Sequence, residues 1–269
     1  IVNWIVLSNP YSSGIALCDT FPRTCISSFI CLINSSREII IPPHNSFLDE
    51  VTKNGLKGGS WMIAADFHQN IYSRDSELPP DLILGDRIGR DLDYEKFSLK
   101  VNYRNHENLG SEVSNFTERK DEYSRYMHKD RNRPVFKFCE TIEEETEILD
   151  QIIEDIVTRE GIYKQDITVL SMYTDKKRPN PLFRGKYSND FIELSSEYFS
   201  EPKPDKIVFT TVHAYKGLEN SIIILTGVDL SNYKNPEDGD YFIGGGVSLF
   251  STGAFRCMSD LYVIVGDKR

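Results

Sequence analysis

Short apolar runs alternate with longer polar segments through the second half of the chain. Such runs are the right length for strands that are buried on both faces, as in a parallel sheet. A strand, helix, strand order along this part of the chain predicts right-handed parallel crossovers. The predicted strands are 135–138, 167–172, 207–209, 222–225 and 261–265.

An amphipathic helix is predicted between the first two of these strands. Thr141 stands at the N-cap and Glu144 three residues later, which is the spacing of a capping box. Leu149, Ile152 and Ile156 then recur at helical spacing. The helix is expected to end near Gly161, with its acidic side chains on a solvated face.

The first part of the chain is less regular. Strands are predicted at 4–8, 27–33 and 61–65, and a helix at 46–57 that a group of glycines ends. The segment 97–105 alternates like a strand, and helical sequence is expected to follow it to about residue 126.

Charge and composition narrow the function classes. The 269 residues carry a net charge of -10, which argues against bulk attraction to nucleic acid. The charge is uneven, since 140–160 is acidic whereas 119–133 is mostly basic with interleaved tyrosines, and 176–178 is a second basic cluster. Each basic stretch either meets phosphates or is a solvated surface.

Cysteines and hydropathy exclude further classes. Five cysteines show neither CxxC pairing nor histidines at metal-ligand spacing, which predicts reduced structural thiols in a cytoplasmic protein and no metal ligands among them. No apolar run reaches the roughly 18 residues that cross a bilayer, so no membrane partner is expected.

A polar segment separates the strands at 207–209 and 222–225, where a loop between buried strands of an α/β sheet is a candidate ligand site. Its spacing, TVHxxKGLE, resembles the fifth helicase motif of the UvrD/Rep-type superfamily 1 DNA helicases. The resemblance implies that Gly217 and Glu219 bind the nucleotide, with Glu219 accepting hydrogen bonds from the ribose. It implies that three residues grip the backbone of single-stranded DNA: Thr211, His213 and Lys216.

The strand at 61–65 runs into DFHQNIY, which resembles the third motif of the same family, GDxxQxIY, with Ala65 in place of its glycine. The amide of Gln69 can donate to a phosphate and accept from an attacking water, so the resemblance assigns Gln69 to the γ-phosphate. It assigns Tyr72 to DNA. The aromatic and arginine that the family places after this tyrosine are replaced by Ser-Arg-Asp at 73–75.

The strand at 97–105 contains NYR, the fourth motif of the family. Arg104 offers five donors in a fixed fork that suits phosphate oxygens, and Tyr103 offers a flat face for a purine. The resemblance assigns Arg104 to the γ-phosphate and Tyr103 to the adenine. From the residues alone, Arg104 is as readily a surface ion-pair partner.

The sixth motif, TRAxxxLYVV, is matched in part by Arg256 and by Leu-Tyr-Val at 261–263. Phe255 and Cys257 replace the threonine and the alanine beside the arginine. An arginine delivered from one lobe to a phosphate held by the other would neutralise charge that develops during phosphoryl transfer. The resemblance gives this role to Arg256, and an ion pair packed at the lobe interface is the alternative.

These motifs imply an α/β fold with a RecA-like parallel sheet flanked by helices. Residues 91–269 would form the second helicase lobe, with its accessory insertion reduced to 173–205, and residues 1–90 an incomplete first lobe that carries the third motif. The implied cofactors are ATP and Mg²⁺, and the implied partner is single-stranded DNA. The phosphate-binding GxxxxGK[ST] and an acidic strand end for Mg²⁺ are not found in this sequence. The second expected partner is a protein partner or a missing N-terminal lobe, and ATP hydrolysis is expected only with a first lobe.

Three functions remain open at this point. The first is a fragment or divergent member of an ATP-driven DNA helicase, which alone is expected to be inactive. The second is a degenerate helicase-like module that binds nucleic acid or a protein without hydrolysing ATP. The third is an unrelated nucleotide-binding α/β protein that ignores single-stranded DNA.

Overall fold

The computed structural model describes side chains in one part of the chain and only the backbone of strands in another. Side chains are described for residues 99–117, 123–129, 131–172, 184–195, 198–199, 201, 203–229 and 246–266, whereas four earlier strands are described by their backbone. The predicted helix at 46–57 lies outside the described residues, and so do Gln69 and Tyr72.

The chain divides into two compact units. Unit 1 comprises Ile1–Asn102, Glu122–Arg125 and Ile243–Ser248, and unit 2 comprises the remaining residues: Tyr103–Asp121, Tyr126–Phe242 and Leu249–Arg269. The predicted boundary at residue 90 stays a prediction.

Unit 1 contains a parallel sheet of four described strands. Along the chain they are β1 (Trp4–Leu7), β2 (Phe29–Leu32), β3 (Trp61–Ala65) and β4 (Glu95–Ser98). Their order in the sheet is β2-β3-β1-β4, with every neighbouring pair parallel. The strands predicted at 4–8, 27–33 and 61–65 therefore lie side by side.

Further elements follow in chain order. The strands are β5 (Val101–His106), β6 (Arg125–His128), β7 (Val135–Cys139), β8 (Ile167–Ser171), β9 (Phe191–Glu193), β10 (Ile207–Thr211), β11 (Asn220–Asp229) and β12 (Cys257–Gly266). The helices are α1 (Glu107–Thr117), α2 (Ile142–Val157) and α3 (Gly246–Ala254).

Six of these strands form the sheet of unit 2. Their order is β7-β12-β11-β8-β10-β9, and every neighbouring pair is parallel. The central strands β8 and β11 are buried on both faces, which explains why they read as nearly continuous apolar runs rather than as alternating ones. This sheet and its flanking helices confirm the predicted α/β class.

Helix α2 covers one face of the six-stranded sheet. Its buried side chains Leu149, Ile153 and Ile156 form one cluster with Ile224 of β11 and Ile264 of β12. The hydroxyl of Thr141 accepts a hydrogen bond from the backbone N–H of Glu144 at 3.2 Å, which confirms the predicted N-cap. Burial of this apolar stripe holds the helix against the sheet.

Helices α1 and α3 pack together and extend the apolar core. The ring of Phe116 in α1 lies 4.6 Å from that of Phe250 in α3 and 5.2 Å from that of Phe136 in β7, measured between centroids. A side chain at Gly253 would come within 2.8 Å of Leu225, so α3 approaches β11 closely at that position. The helices flank the strands that carry the candidate site.

Two predicted elements were wrong. The single strand expected over 97–105 is two strands, β4 and β5, because residues 99–100 are not in a strand. The helix that was expected to reach about residue 126 ends at Thr117. Residues 125–128 form the strand β6, which pairs with β5.

The acidic side chains of α2 are not all solvated as expected. Asp150 accepts a hydrogen bond from the backbone N–H of Lys186 at 2.6 Å, and the ammonium of Lys186 lies 3.0 Å from Glu154. Arg184 contacts Glu143 at 3.7 Å. These acids therefore hold the chain where it returns from the 173–183 segment.

No helix in the described ranges is both long and apolar enough to cross a bilayer.

Candidate functional site

Three segments that are far apart in sequence meet in unit 2. They are the end of β5, the segment between β10 and β11, and the turn between α3 and β12. Asn220 and Cys257, the first residues of β11 and β12, are register partners, so the meeting point lies at the amino-terminal edge of the sheet. Open α/β sheets usually bind ligands at the carboxyl edge, and this site is at the opposite one.

The segment between β10 and β11 runs the length of the sheet. Thr211 is level with Ser171 at the carboxyl end of β8, and Asn220 is at the amino edge. Thr211 begins a turn, because its hydroxyl accepts from the backbone N–H of Ala214 at 3.2 Å. Gly217 has φ +95°, a left-handed conformation that disfavours any side chain. Thr211 and Glu219 therefore stand at opposite ends of one folded segment.

Tyr215 anchors this segment to the sheet. Its side chain is buried, and its hydroxyl lies 3.3 Å from the hydroxyl of Thr168. The amide of Asn220 donates to the same Thr168 oxygen at 2.9 Å. Burial raises the pKa of Tyr215, and the nearby charges act in opposite directions, Arg256 lowering it and Glu219 raising it. Burial thus keeps the Tyr215 hydroxyl protonated.

Arg104 and Glu219 form the charged centre of the site. The Nε of Arg104 lies 3.0 Å from Oε2 of Glu219, and the guanidinium also donates to the carbonyl of Phe255 at 3.3 Å. The Arg104 side chain is 12% exposed and that of Glu219 is 46% exposed. The end of β5 is therefore in direct contact with the segment between β10 and β11, and the turn between α3 and β12 meets Arg104 through the backbone carbonyl of Phe255.

Two asparagines that sequence reasoning missed hold the turn between α3 and β12. The amide of Asn105 donates to the carbonyl oxygens of Phe255 at 3.4 Å and Cys257 at 2.7 Å. The backbone N–H of Asn220 donates to the carbonyl between them, that of Arg256, at 3.1 Å. Asn105 is fully buried. The only signal in the sequence was a pair of adjacent polar residues, Asn105 and His106, at the end of a strand of alternating pattern.

Arg256 lies inside unit 2. Its side chain is 1% exposed, and its Nε donates to the carbonyl of Thr252 at 3.0 Å, near the end of α3. A cation at the carboxyl end of a helix is stabilised by the helix dipole. The neighbouring thiol of Cys257 is fully buried, which raises its pKa to about 12 and keeps it protonated. In this arrangement the guanidinium of Arg256 faces the protein and not solvent.

His106 joins β5 to α1. Its Nδ1 accepts from the backbone N–H of Leu109 at 3.2 Å, so the ring proton is on Nε2, which donates to the carbonyl of Ser259 at 2.9 Å. Burial lowers the pKa of His106, the hydrogen bond to the carbonyl of Ser259 raises it, and the electrostatic effect of Arg131 lowers it further. The neutral ring is thus an N-cap for α1 and fixes the end of the strand that carries Arg104.

The remaining candidate residues are less closely grouped. Tyr103 is 70% exposed, and its carbonyl accepts from the ring of His128 at 3.1 Å. His213 and Lys216 are half-buried within the segment between β10 and β11. The structure brings Arg104, Glu219 and the backbone at Arg256 together, whereas Thr211 lies at the far end of the sheet.

The chemistry of these side chains suits a nucleotide. The exposed ring of Tyr103 can stack on a base, the fork of Arg104 can bind phosphate oxygens, and the carboxylate of Glu219 can accept from ribose hydroxyls. The described part of the chain contains no group of three or more His, Cys, Asp or Glu side chains that could hold a metal.

Comparisons with known proteins add little to this geometry. No family model matches the sequence, and no curated protein matches it. Among solved structures, the chain is similar to the C-terminal domain of a possible DNA helicase from Lactobacillus plantarum, with 13% identity and a TM-score of 0.42. The match covers 62% of this chain and 88% of that domain. At this level of similarity, it assigns no activity to the present chain.

Proposed function

We propose that the chain is part of an ATP-dependent DNA translocase of the UvrD/Rep type. Unit 2 would be its second RecA-like lobe, and residues 1–90 would belong to the first. One observation carries the proposal: the Nε of Arg104 is 3.0 Å from Glu219, so the residues assigned to phosphate and ribose stand at one point. Their side chains come from β5 and from the segment between β10 and β11, which are far apart in the sequence.

Each side chain has a distinct task in this proposal. Bound ATP would supply a phosphoanhydride bond whose hydrolysis releases the energy for movement. Arg104 would orient the phosphates, with the carbonyl of Phe255 holding its guanidinium at 3.3 Å. Glu219 would bind the ribose, exchanging part of its contact with Arg104 for the sugar hydroxyls. The role of Gln69 at the γ-phosphate, which the resemblance implies, is part of the same proposal.

The segment between β10 and β11 would couple nucleotide to DNA. Thr211, His213 and Lys216 would contact the DNA backbone, and Glu219 ends the same segment. Tyr215 anchors its middle on Thr168, so the two ends are parts of one packed unit. A small shift at Glu219 would therefore be transmitted to Lys216 rather than absorbed by a loose loop.

The DNA part of the proposal is tested by titrating a fluorescent single-stranded oligonucleotide with the 269-residue chain at several salt concentrations. Lys216→Ala should weaken binding and lower the slope of log affinity against log salt by about 0.7, because one phosphate contact is lost. Lys203→Ala removes an exposed lysine that lies 3.4 Å from Glu201 and is the matched control. Equal slopes for both variants would remove Lys216 from the DNA interface.

A second candidate function is a helicase-like module that binds nucleic acid or a protein without hydrolysing ATP. The burial of Arg256 favours it, because a guanidinium bonded to Thr252 is not presented to a phosphate. Measuring ATP turnover with and without single-stranded DNA separates the two. Turnover that DNA stimulates excludes the second function, and binding without turnover by the protein with a complete first lobe excludes the first.

A further inference from the structure

Hydrogen-bond donors from two other segments of the chain hold the turn between α3 and β12. Its three successive carbonyls, those of Phe255, Arg256 and Cys257, all accept hydrogen bonds from residues beyond the turn. The middle one receives the backbone N–H of Asn220 at 3.1 Å, and the outer two receive the single amide of Asn105. An asparagine amide has two N–H donors on one nitrogen, which is what two neighbouring carbonyls require.

These donors are next to the proposed nucleotide contacts in sequence. Asn105 follows Arg104, and Asn220 follows Glu219. The carbonyl of Phe255 accepts from both Arg104, at 3.3 Å, and Asn105, at 3.4 Å. The position of that carbonyl therefore sets the direction of the Arg104 guanidinium, and Asn105 sets the position of the carbonyl.

We propose that Asn105 is a positioning residue for Arg104, acting through the Phe255–Cys257 backbone and not through a ligand. Asn105 is fully buried, so a bound nucleotide does not reach it. Without its amide, the turn loses two hydrogen bonds and keeps the one from the backbone N–H of Asn220. The carbonyl of Phe255 is then held less firmly, whereas Glu219 still contacts the Arg104 guanidinium. The claim that this matters for nucleotide binding rests on the proposed function.

Asn105→Leu is the primary variant, because leucine keeps nearly the same volume and removes both donors. Asn105→Ser is the second variant, for use if the leucine variant does not fold. Serine is smaller than asparagine and replaces the two N–H donors of the amide by a single hydroxyl. Asn108→Leu is the matched control, since the amide of Asn108 donates to the carbonyl of Arg131 at 2.7 Å, away from the turn.

The first readout needs no nucleotide. The NMR signal of the Arg104 Nε–H, bonded to Glu219 in the unchanged protein, should shift or broaden in Asn105→Leu and stay in place in Asn108→Leu. An unmoved signal in both Asn105 variants would overturn the positioning role, whatever the protein binds.

The second readout separates positioning from general damage. Because the resemblance assigns Arg104 to the γ-phosphate, Asn105→Leu should lower the affinity for ATP by about tenfold. The affinity for ADP should change by less than about twofold. Equal losses for ATP and ADP, or no loss for either, would overturn the claim that Asn105 serves the site. The two proposals can fail separately. If the unchanged chain binds neither nucleotide but the Arg104 signal still moves in Asn105→Leu, the proposed function fails and the positioning of Arg104 by Asn105 stands.

Discussion

The Nε of Arg104 lies 3.0 Å from Oε2 of Glu219, and this contact joins two segments that the resemblance assigns to one nucleotide. The carboxylate is 46% exposed, so water screens the pair, and it contributes on the order of 0–1 kcal/mol to folding. A pair of this kind does little for stability. It places a guanidinium and a carboxylate where a ligand with phosphates and hydroxyls can exchange with them.

Glu219→Gln tests the ribose contact. The free energy of unfolding should change by less than about 1 kcal/mol, because the ion pair is partly exposed. The preference for ATP over deoxy-ATP should shrink by about threefold to tenfold, since an amide oxygen accepts a ribose hydroxyl less strongly than a carboxylate does. Calorimetric titration with both nucleotides measures the ratio. An unchanged ratio would mean that Glu219 does not bind the sugar.

The strands could be predicted from the sequence because burial on both faces leaves a strong local signal. Ile222, Ile224 and their neighbours in β11 form an apolar run that only a central parallel strand or a buried helix requires, and its length excludes the helix. The break between β4 and β5 could not be predicted, because the alternation of apolar and polar residues continues across it.

The candidate site was only partly visible in sequence. The resemblance assigned Arg104 and Glu219 to one nucleotide and so predicted that they lie close together, but it did not indicate that they form an ion pair with each other. Asn105 was missed, because its partners are the carbonyls of Phe255 and Cys257, and backbone acceptors leave no trace in residue types. The burial of Arg256 was likewise hidden, since an arginine that ends a helix and one that binds phosphate look identical in sequence.

Arg256→Ala should reduce the free energy of unfolding by about 2–5 kcal/mol. The substitution leaves a cavity where a fully buried side chain stood, and it leaves the carbonyl of Thr252 without that donor. Arg256→Lys keeps the charge and most of the volume and should cost less than half as much. Urea denaturation followed by circular dichroism measures both. Wild-type stability of the alanine variant would contradict the burial of Arg256.

Stability should depend on pH through His106. Burial lowers its pKa below the ordinary value of about 6.5, so the unfolded chain binds the proton first as pH falls. The stabilisation is fully present above about pH 6.5 and is lost as pH falls from there toward the lower folded pKa. Protonation of Nδ1 also removes the N-cap of α1.

The control for this prediction is His106→Asn, because asparagine is a good N-cap that does not titrate. The groups that act on His106 are Arg131 and His128, which lower its pKa, and Asp260 with the carbonyl of Ser259, which raise it. The midpoint of thermal unfolding should fall more steeply between pH 7 and pH 5 for the unchanged protein than for this variant. Parallel pH profiles would show that His106 is not the responsible group.

Asp150→Ala should loosen the 184–187 segment. Asp150 accepts from the backbone N–H groups of Lys186 at 2.6 Å and Tyr187 at 3.4 Å, and their loss removes about 1–3 kcal/mol from the local opening free energy. Trypsin should then cut at Arg184 or Lys186 several-fold faster. Glu147→Ala removes an exposed acid from the same helix and should leave the rate unchanged. Equal rates for the two variants would contradict the anchoring role of Asp150.

The most direct test of the central claim is the affinity of the 269-residue chain for ATP with Arg104→Lys, compared with Arg133→Lys. Lysine keeps the charge but lacks the fork, whereas Arg133 is exposed and lies 3.6 Å from Glu112, outside the Arg104–Glu219 contact. Arg104→Lys should lower the affinity for ATP by at least about tenfold, and Arg133→Lys should lower it by less than about twofold. Equal affinities for the two variants would contradict a nucleotide site at Arg104 and Glu219.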